Sequence, residues 1–142
     1  MTEHFRKLER MYAAAPINDY FQPALEIREG EAEIRMQVRE DFHHAAGAMH
    51  GVVYFKALDD STFFAANSIV QDVFVLTAHF ELDFLRPVSS GEVHAIARVT
   101  RDTGRRIEAT GELFDEAGNL VGRGTGSFAR SNVPLTPDVH YV

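Results

Sequence analysis

The run of residues from His50 to Val70 is apolar on nearly every side, and it constrains the fold more than any other segment. Its length exceeds that of an ordinary strand, and its content of Ala, Leu, Lys and Phe is typical of a helix. A helix with this pattern has to be enclosed by other elements. It also carries acids, Asp59 and Asp60, so it is too polar for a membrane span. We predict one helix over residues 50–68 inside a sheet.

The chain after Asp72 supplies strands that could enclose this helix. Alternating apolar and polar residues predict four strands there, separated by turns rich in Gly, Ser, Asp and Asn. Two further strands, joined by a turn at Glu29-Gly30, precede the helix. In the first of the four later strands, one face is expected to carry the apolar residues Phe74, Leu76, Ala78, Phe80, Leu82 and Phe84.

The order of these elements predicts an α+β protein of the hotdog kind. An amphipathic helix over residues 3–14 comes first, and it belongs to a helical N-terminal segment, 1–23. A sheet of about six antiparallel strands wrapped around one long central helix is the simplest way to bury that helix. The 142 residues fit a single domain, 1–142, and residues 132–142, with two prolines, predict an irregular tail.

Cysteine is absent, which excludes a disulfide framework, a thiolate nucleophile and a zinc site built on sulfur. The first residues mix both signs of charge and lack the apolar core of a signal peptide. We therefore expect a cytoplasmic protein.

The formal net charge is −7 and the isoelectric point is about 5.4. This acidic balance argues against nucleic acid and anionic membranes as partners. An anionic small ligand would need a local basic patch.

Two positions on the predicted helix could carry chemistry. A glycine at the first turn, Gly51, lets a ligand carbonyl approach backbone N–H groups that have no partner within the helix, although a tight turn alone could also require it. Asp59 lies in an apolar stripe and Asp60 in a polar one, about 100° away. An acid in an apolar stripe is either functional or held in a structural ion pair, here with Arg86 or Lys56.

The block from His50 to Asp59, followed by Thr77 and by Phe84-Leu85-Arg86-Pro87, resembles the hotdog-fold acyl-CoA thioesterases of the phenylacetate-pathway, PaaI-like type. The family motif is His-Gly-Gly with an acid eight residues after the first glycine. This sequence keeps His50, Gly51 and Asp59 and has Val52 for the second glycine. His44 occupies the position of a family Asn or Gln.

The resemblance implies an acyl-CoA thioesterase that releases free CoA and a carboxylic acid. It implies that Asp59 is general base or nucleophile, that Gly51 is the oxyanion hole, and that His44 and Thr77 assist. An unbroken strand would turn Thr77 outward, so it reaches a site only through a bulge or at a subunit interface, or else is an ordinary strand residue. The family's site lies between subunits, which implies a homodimer or a dimer of dimers.

Further side chains are candidates for holding the substrate. His50 is expected to hydrogen-bond loop backbone at the helix start, and His44 is either a ligand contact or a surface residue. The phosphates of CoA call for arginine, and we favour Arg105 or Arg106, with Arg86 as a further candidate. His43, His44 and His50 lack the spacing of a metal site, so we expect no metal and no cofactor besides the CoA of the substrate.

Two other functions stay open at this point. One is a hydratase or dehydratase on the same fold, although its His-Phe-Pro signature before the helix is missing. The other is a non-catalytic module that binds or senses acyl-CoA.

Overall fold

The computed structural model describes residues 2–142, so Met1 of the predicted N-terminal segment lies outside the described residues. Two helices come first, followed by two strands, a long helix and four more strands. Short 3-10 turns lie at Glu40–Phe42 and Pro137–Val139. The elements are α1 (Thr2–Ala14), α2 (Asn18–Phe21), β1 (Ala24–Arg28), β2 (Glu31–Gln37), α3 (Gly51–Ser68), β3 (Val73–Phe84), β4 (Glu92–Asp102), β5 (Arg106–Phe114) and β6 (Leu120–Pro134).

The strands form one antiparallel sheet in the order β1-β2-β4-β5-β6-β3, with β1 and β3 at its edges. The sheet curls around α3, whose residues Ala57 and Leu58 are completely buried. This arrangement confirms the predicted hotdog architecture, because a helix with apolar residues on most sides is stable only when a sheet encloses it. Within residues 2–142, no helix has the length and apolar character needed to cross a bilayer.

A fully buried amide, Asn67, links the end of α3 to the start of β3. Its Nδ2 donates to the backbone oxygens of Val70 and Val73, and its Oδ1 accepts from the Val75 N–H. The side chain thus satisfies backbone groups of the connection that follows α3 and of the first residues of β3. It fixes where β3 begins, and therefore where the residues of β3 meet α3.

The predicted apolar face of β3 is wrong for the residues that precede the bulge at Ala78 and right for Phe80 after it. The pairing with β6 shifts between Thr77 and His79, which marks a bulge. A bulge inserts one extra residue and changes which side chains face inward. Before it, Val75 and Thr77 face α3, while Leu76 is 51% exposed. After it, Phe80 packs against Phe55 of α3.

The C-terminal segment is more regular than predicted. Strand β6 continues to Pro134, which pairs with Val73 at the edge of the sheet. The Ser131 hydroxyl donates to the Phe74 carbonyl and secures this extension. Proline can lie there because β6 extends beyond its last pair with β5, at Ala129, so its residues on that side need no N–H partner.

Candidate active site

Asp59 lies on α3 and meets Thr77 of β3. The Thr77 Oγ1 donates to the Asp59 Oδ1 at 2.9 Å. The bulge at Ala78 gives the inward direction that Thr77 needs for this contact. Among residues 2–142, Asp59 forms no ion pair, since Lys56 pairs with Asp60 instead.

Burial raises the pKa of the Asp59 carboxyl to about 6. The hydrogen bond from Thr77 opposes this rise, the negative charge of Asp60 adds to it, and the ammonium of Lys56 opposes it. A carboxylate with a pKa close to neutral is a stronger base than an ordinary aspartate and is still ionised near pH 7. Asp59 is therefore suited to accept a proton from water.

Asp59 borders a cavity of about 500 Å³ between α1, α3 and β3. Its walls are mostly apolar and aromatic, with Phe63, Phe64 and Phe74 on one side and the α1–α2 connection on the other. A cavity of this size and lining accommodates an apolar group, with a carboxylate at its edge. The arrangement would bring a reactive carbonyl attached to that group close to Asp59.

The neighbouring acid, Asp60, has a different environment. Its Oδ2 accepts from the Tyr12 hydroxyl at 2.6 Å and lies 2.7 Å from the Lys56 Nζ. We expected a polar stripe on α3 here, but α1 covers this face, and Lys56 and Asp60 side chains are only 10% and 18% exposed. The Tyr12 hydroxyl and the Lys56 ammonium both hold the Asp60 carboxylate in place, whereas the Asp59 carboxylate accepts from Thr77 and lies at the edge of the cavity.

The first turn of α3 presents an open N–H group. The His50 Nδ1 accepts from the Val52 N–H at 2.9 Å, and the His50 carbonyl accepts from the Val53 N–H at 2.9 Å. No acceptor for the Gly51 N–H lies among residues 2–142. A Cβ on Gly51 would lie 3.1 Å from the Phe84 ring, so packing also favours glycine. The free N–H at a helix N-terminus is well placed to stabilise a developing negative charge.

A second, shallower cavity of about 320 Å³ lies beside Gly51. Its lining includes His44 and Arg86, together with Phe84. The His44 ring is exposed, and its Nδ1 accepts from the Ala46 N–H at 3.0 Å. The Arg86 carbonyl accepts from the Tyr54 hydroxyl at 2.6 Å. The structure thus brings three predicted site residues together at the start of α3.

The Gly51 N–H group and the Asp59 carboxylate are far apart within one chain. Gly51 and Asp59 are eight residues apart on the same helix. At 1.5 Å per residue their backbones lie about 12 Å apart along its axis. An N–H group and a carboxylate that act on one carbonyl must lie within hydrogen-bond distance of it or of its attacking water. A single chain does not supply both.

The predicted phosphate ligands Arg105 and Arg106 lie at the turn between β4 and β5. Both are exposed, and the Arg106 Nη1 donates to the Ser127 Oγ at 3.2 Å. Neither residue lines the two cavities beside Asp59 and Gly51. Within residues 2–142, no three His, Cys, Asp or Glu side chains group as metal ligands.

Sequence reasoning missed the contribution of α1 to the cavity. Tyr12 lies in the amphipathic helix predicted over residues 3–14, and Lys56 was considered as an ion-pair partner of Asp59, but neither was expected to line a site. The partner of the Tyr12 hydroxyl is 48 residues away in sequence, so no local pattern reveals it. The available signal was a tyrosine in the buried stripe of this helix, since a buried hydroxyl needs a partner.

Three comparisons with known proteins bear on this site. The family model described as the thioesterase superfamily matches residues 46–122, which include His50, Gly51, Asp59 and Thr77. A protein of Sulfurisphaera tokodaii named "Putative esterase" is 29% identical over 101 residues, covering 70% of this chain and 74% of that protein.

Solved structures share the fold over nearly the whole chain. PaaI of E. coli, from the phenylacetic acid degradation operon, has a TM-score of 0.86 at 20% identity and covers 95% of this chain and 98% of its own. A phenylacetic acid degradation-related protein of Ralstonia eutropha JMP134 has a TM-score of 0.78 at 24% identity, covering 89% and 98%. Because the family match spans more than half of the chain, the protein belongs to the thioesterase superfamily, a family of hydrolases, and has the hotdog fold of PaaI.

Proposed function

We propose that this protein hydrolyses acyl-CoA thioesters to free CoA and a carboxylic acid. The observation that supports this most strongly is the raised pKa of Asp59, to about 6, at the edge of an apolar cavity. The acyl group would occupy that cavity, and the thioester carbonyl would lie at its mouth. No cofactor is required beyond the CoA of the substrate.

In the proposed reaction, water attacks the carbonyl carbon while Asp59 accepts a proton. The carbonyl oxygen becomes an oxyanion, which the Gly51 N–H stabilises with the help of the helix dipole. Collapse of this intermediate breaks the carbon–sulfur bond, and the thiolate of CoA leaves and takes up a proton. Direct attack by Asp59, followed by hydrolysis of the resulting anhydride, is compatible with the same geometry.

The distance between Gly51 and Asp59 supports a site shared by two copies of the chain. The stripe of α3 that the sheet leaves uncovered carries Val52, which is 51% exposed, and Phe55, which is 41% exposed, before it reaches Asp59. The adjacent strand β3 is an unpaired edge. A second copy that pairs along β3 would cover these apolar residues and bring its own Gly51 and His44 toward Asp59. We therefore propose a homodimer or a dimer of dimers.

The roles of the remaining residues follow from their positions. Thr77 orients Asp59, and His44 of the second copy would contact the thioester or its water. His50 holds the first turn of α3 so that the Gly51 N–H stays open. Arg86 lies closest to the Gly51 cavity, while Arg105 and Arg106 would reach the phosphates only from the β4–β5 turn. We expect the enzyme to act in the cytoplasm.

The test is release of free thiol from a panel of aryl, short-chain and long-chain acyl-CoAs. Hydrolysis is the only one of the three candidate functions that liberates CoA-SH. A hydratase would change the acyl group and leave the thioester intact, and a binding module would leave the substrate unchanged. Absence of thiol release across the panel would contradict the proposed function.

A further inference from the structure

The cluster formed by Tyr12, Lys56 and Asp60 joins the N-terminal helices to the central helix. The Tyr12 hydroxyl and the Lys56 ammonium both contact the Asp60 Oδ2, at 2.6 and 2.7 Å. Tyr12 is 4% exposed. Burial and the neighbouring carboxylates raise the pKa of the Tyr12 hydroxyl, so it keeps its proton and donates.

Lys56 extends these contacts to helix α2. Its Nζ lies 5.1 Å from the ring centre of Tyr12 and 5.3 Å from that of Phe21, over the faces of both rings. The Asn18 Nδ2 in turn donates to the Tyr12 carbonyl at 2.7 Å. A largely buried ion pair is costly to desolvate and adds little stability compared with apolar packing, so its position needs another explanation.

The cluster lies in the wall of the cavity beside Asp59. The α1–α2 unit forms one side of this cavity, and the residues that it contributes are Met11, Tyr12, Ala15, Pro16, Ile17 and Asn18. This side belongs to a separate helix rather than to the sheet, so its distance from Asp59 depends on how α1 is docked. The polar contacts of Asp60 set that docking at a point adjacent to the reacting acid.

We propose that Asp60 is a positioning residue that fixes the docking of α1, one wall of the acyl cavity, and thereby limits the size of the acyl group accepted. This inference rests on the proposed hydrolysis of acyl-CoA, with the acyl group in the cavity beside Asp59. The two adjacent acids then have separate tasks: Asp59 acts on the thioester, and Asp60 determines which thioesters fit.

The test compares kcat and KM of Tyr12→Phe and Asp60→Asn with those of the wild type, on acyl-CoAs of increasing acyl size. Tyr12→Phe keeps the aromatic wall and removes only the hydroxyl. We expect KM for the best wild-type substrate to rise about fivefold, as for one lost hydrogen bond, with kcat within about twofold. Relative kcat/KM should shift toward larger acyl groups. Asp60→Asn should raise KM and shift the acyl preference further than Tyr12→Phe does, because Lys56 loses its counter-ion.

The matched control is Glu3→Gln. Glu3 also pairs with a lysine four residues away, Lys7, but its side chain is 81% exposed and lies outside the cavity. This variant should keep the wild-type KM and acyl preference. If Asp60→Asn does not fold, as judged by circular dichroism, Tyr12→Phe decides alone. An active wild type with unchanged KM and acyl preference in the folded variants would overturn this proposal only, whereas an inactive wild type would overturn the proposed function.

Discussion

Thr77 and Asp59 are joined by a hydrogen bond of 2.9 Å that depends on the bulge at Ala78. Without the bulge, the apolar residues further along β3 and Thr77 could not both face α3, since successive side chains of a strand point to opposite faces. Among residues 2–142, the Thr77 hydroxyl is the one hydrogen-bond donor to the Asp59 carboxylate, which is partly buried. Burial raises the pKa of Asp59 and the hydrogen bond from Thr77 lowers it, and together they determine the pH at which the proposed base is ionised.

The pH dependence of hydrolysis should follow the Asp59 carboxyl. Its pKa is raised to about 6, and only the ionised form accepts a proton from water or attacks the carbonyl. We expect kcat/KM to fall as the pH drops below about 6, by about tenfold for each further unit. Loss of the thioester's ultraviolet absorbance measures the rate over this range. A profile that is flat down to pH 4 would contradict this role for Asp59.

Removing the Thr77 hydroxyl should move that profile. The hydroxyl donates to the ionised carboxylate and lowers its pKa, so Thr77→Val should raise the pKa and shift the acidic limb of kcat/KM to higher pH. Turnover should also fall several-fold, because Asp59 loses its orienting contact. Thr77→Ser retains a hydroxyl and is the matched control, which should stay close to the wild type. Identical acidic limbs of kcat/KM for Thr77→Val and Thr77→Ser would show that the hydrogen bond does not lower the pKa of Asp59.

The buried carboxylate of Asp59 should also lower the free energy of unfolding. The folded pKa lies above the unfolded value of 3.8, so the folded state binds the proton more tightly and the free energy of unfolding decreases as pH rises from about 4 to 6. Asp59→Asn removes this cost and should stabilise the fold by about 1–3 kcal/mol at pH 7, with a smaller gain at pH 4. Urea denaturation at both pH values measures it.

The control for this comparison is Glu29→Gln, which neutralises an exposed acid in a turn. Its effect on the free energy of unfolding should stay within about 0.5 kcal/mol. A destabilised Asp59→Asn protein at pH 7 would mean that the carboxylate is held by contacts that favour its charge.

The proposed subunit interface predicts a specific effect of Val52→Glu. Val52 is 51% exposed in the single chain, so a charge there should not disturb the folding of the protomer. It would place a charge in the proposed interface, and we expect sedimentation at micromolar concentration to show monomers without thioesterase activity. The control is Ile96→Glu, because Ile96 is also exposed but lies on the face of the sheet turned away from α3. This variant should remain at least a dimer. An active monomer in either variant would contradict a shared site.

The course of the chain in this fold follows from local patterns, which is why much of it could be predicted. Helix α3 and the strands after it have different hydrophobic periods, and the change near Asp72 marks their boundary. A bulge was one of the alternatives for Thr77, but its presence at Ala78 could not be decided from the sequence, because Phe80 and Leu82 continue an alternation that begins with Phe74. Only pairing with β6 determines where the extra residue lies.

The candidate site was likewise predicted only in part. Gly51 and Asp59 were identified by their places on one helix and by the family motif. The role of Asp60 was not, since its partner Tyr12 comes from a distant helix. Arg105 and Arg106 were chosen because arginine suits phosphate, but charge type does not indicate how far a side chain lies from a cavity.

In the proposed mechanism Asp59 carries out the reaction and its neighbour Asp60 does not. The most direct measurement is kcat for thiol release at saturating acyl-CoA, for Asp59→Asn and Asp60→Asn, with circular dichroism to confirm folding. Asp59→Asn keeps the side-chain volume and the acceptor for Thr77 but loses the base, so kcat should fall by about 10²-fold or more. Asp60→Asn should lower kcat far less and act mainly on KM. Full turnover by folded Asp59→Asn would contradict the mechanism proposed here.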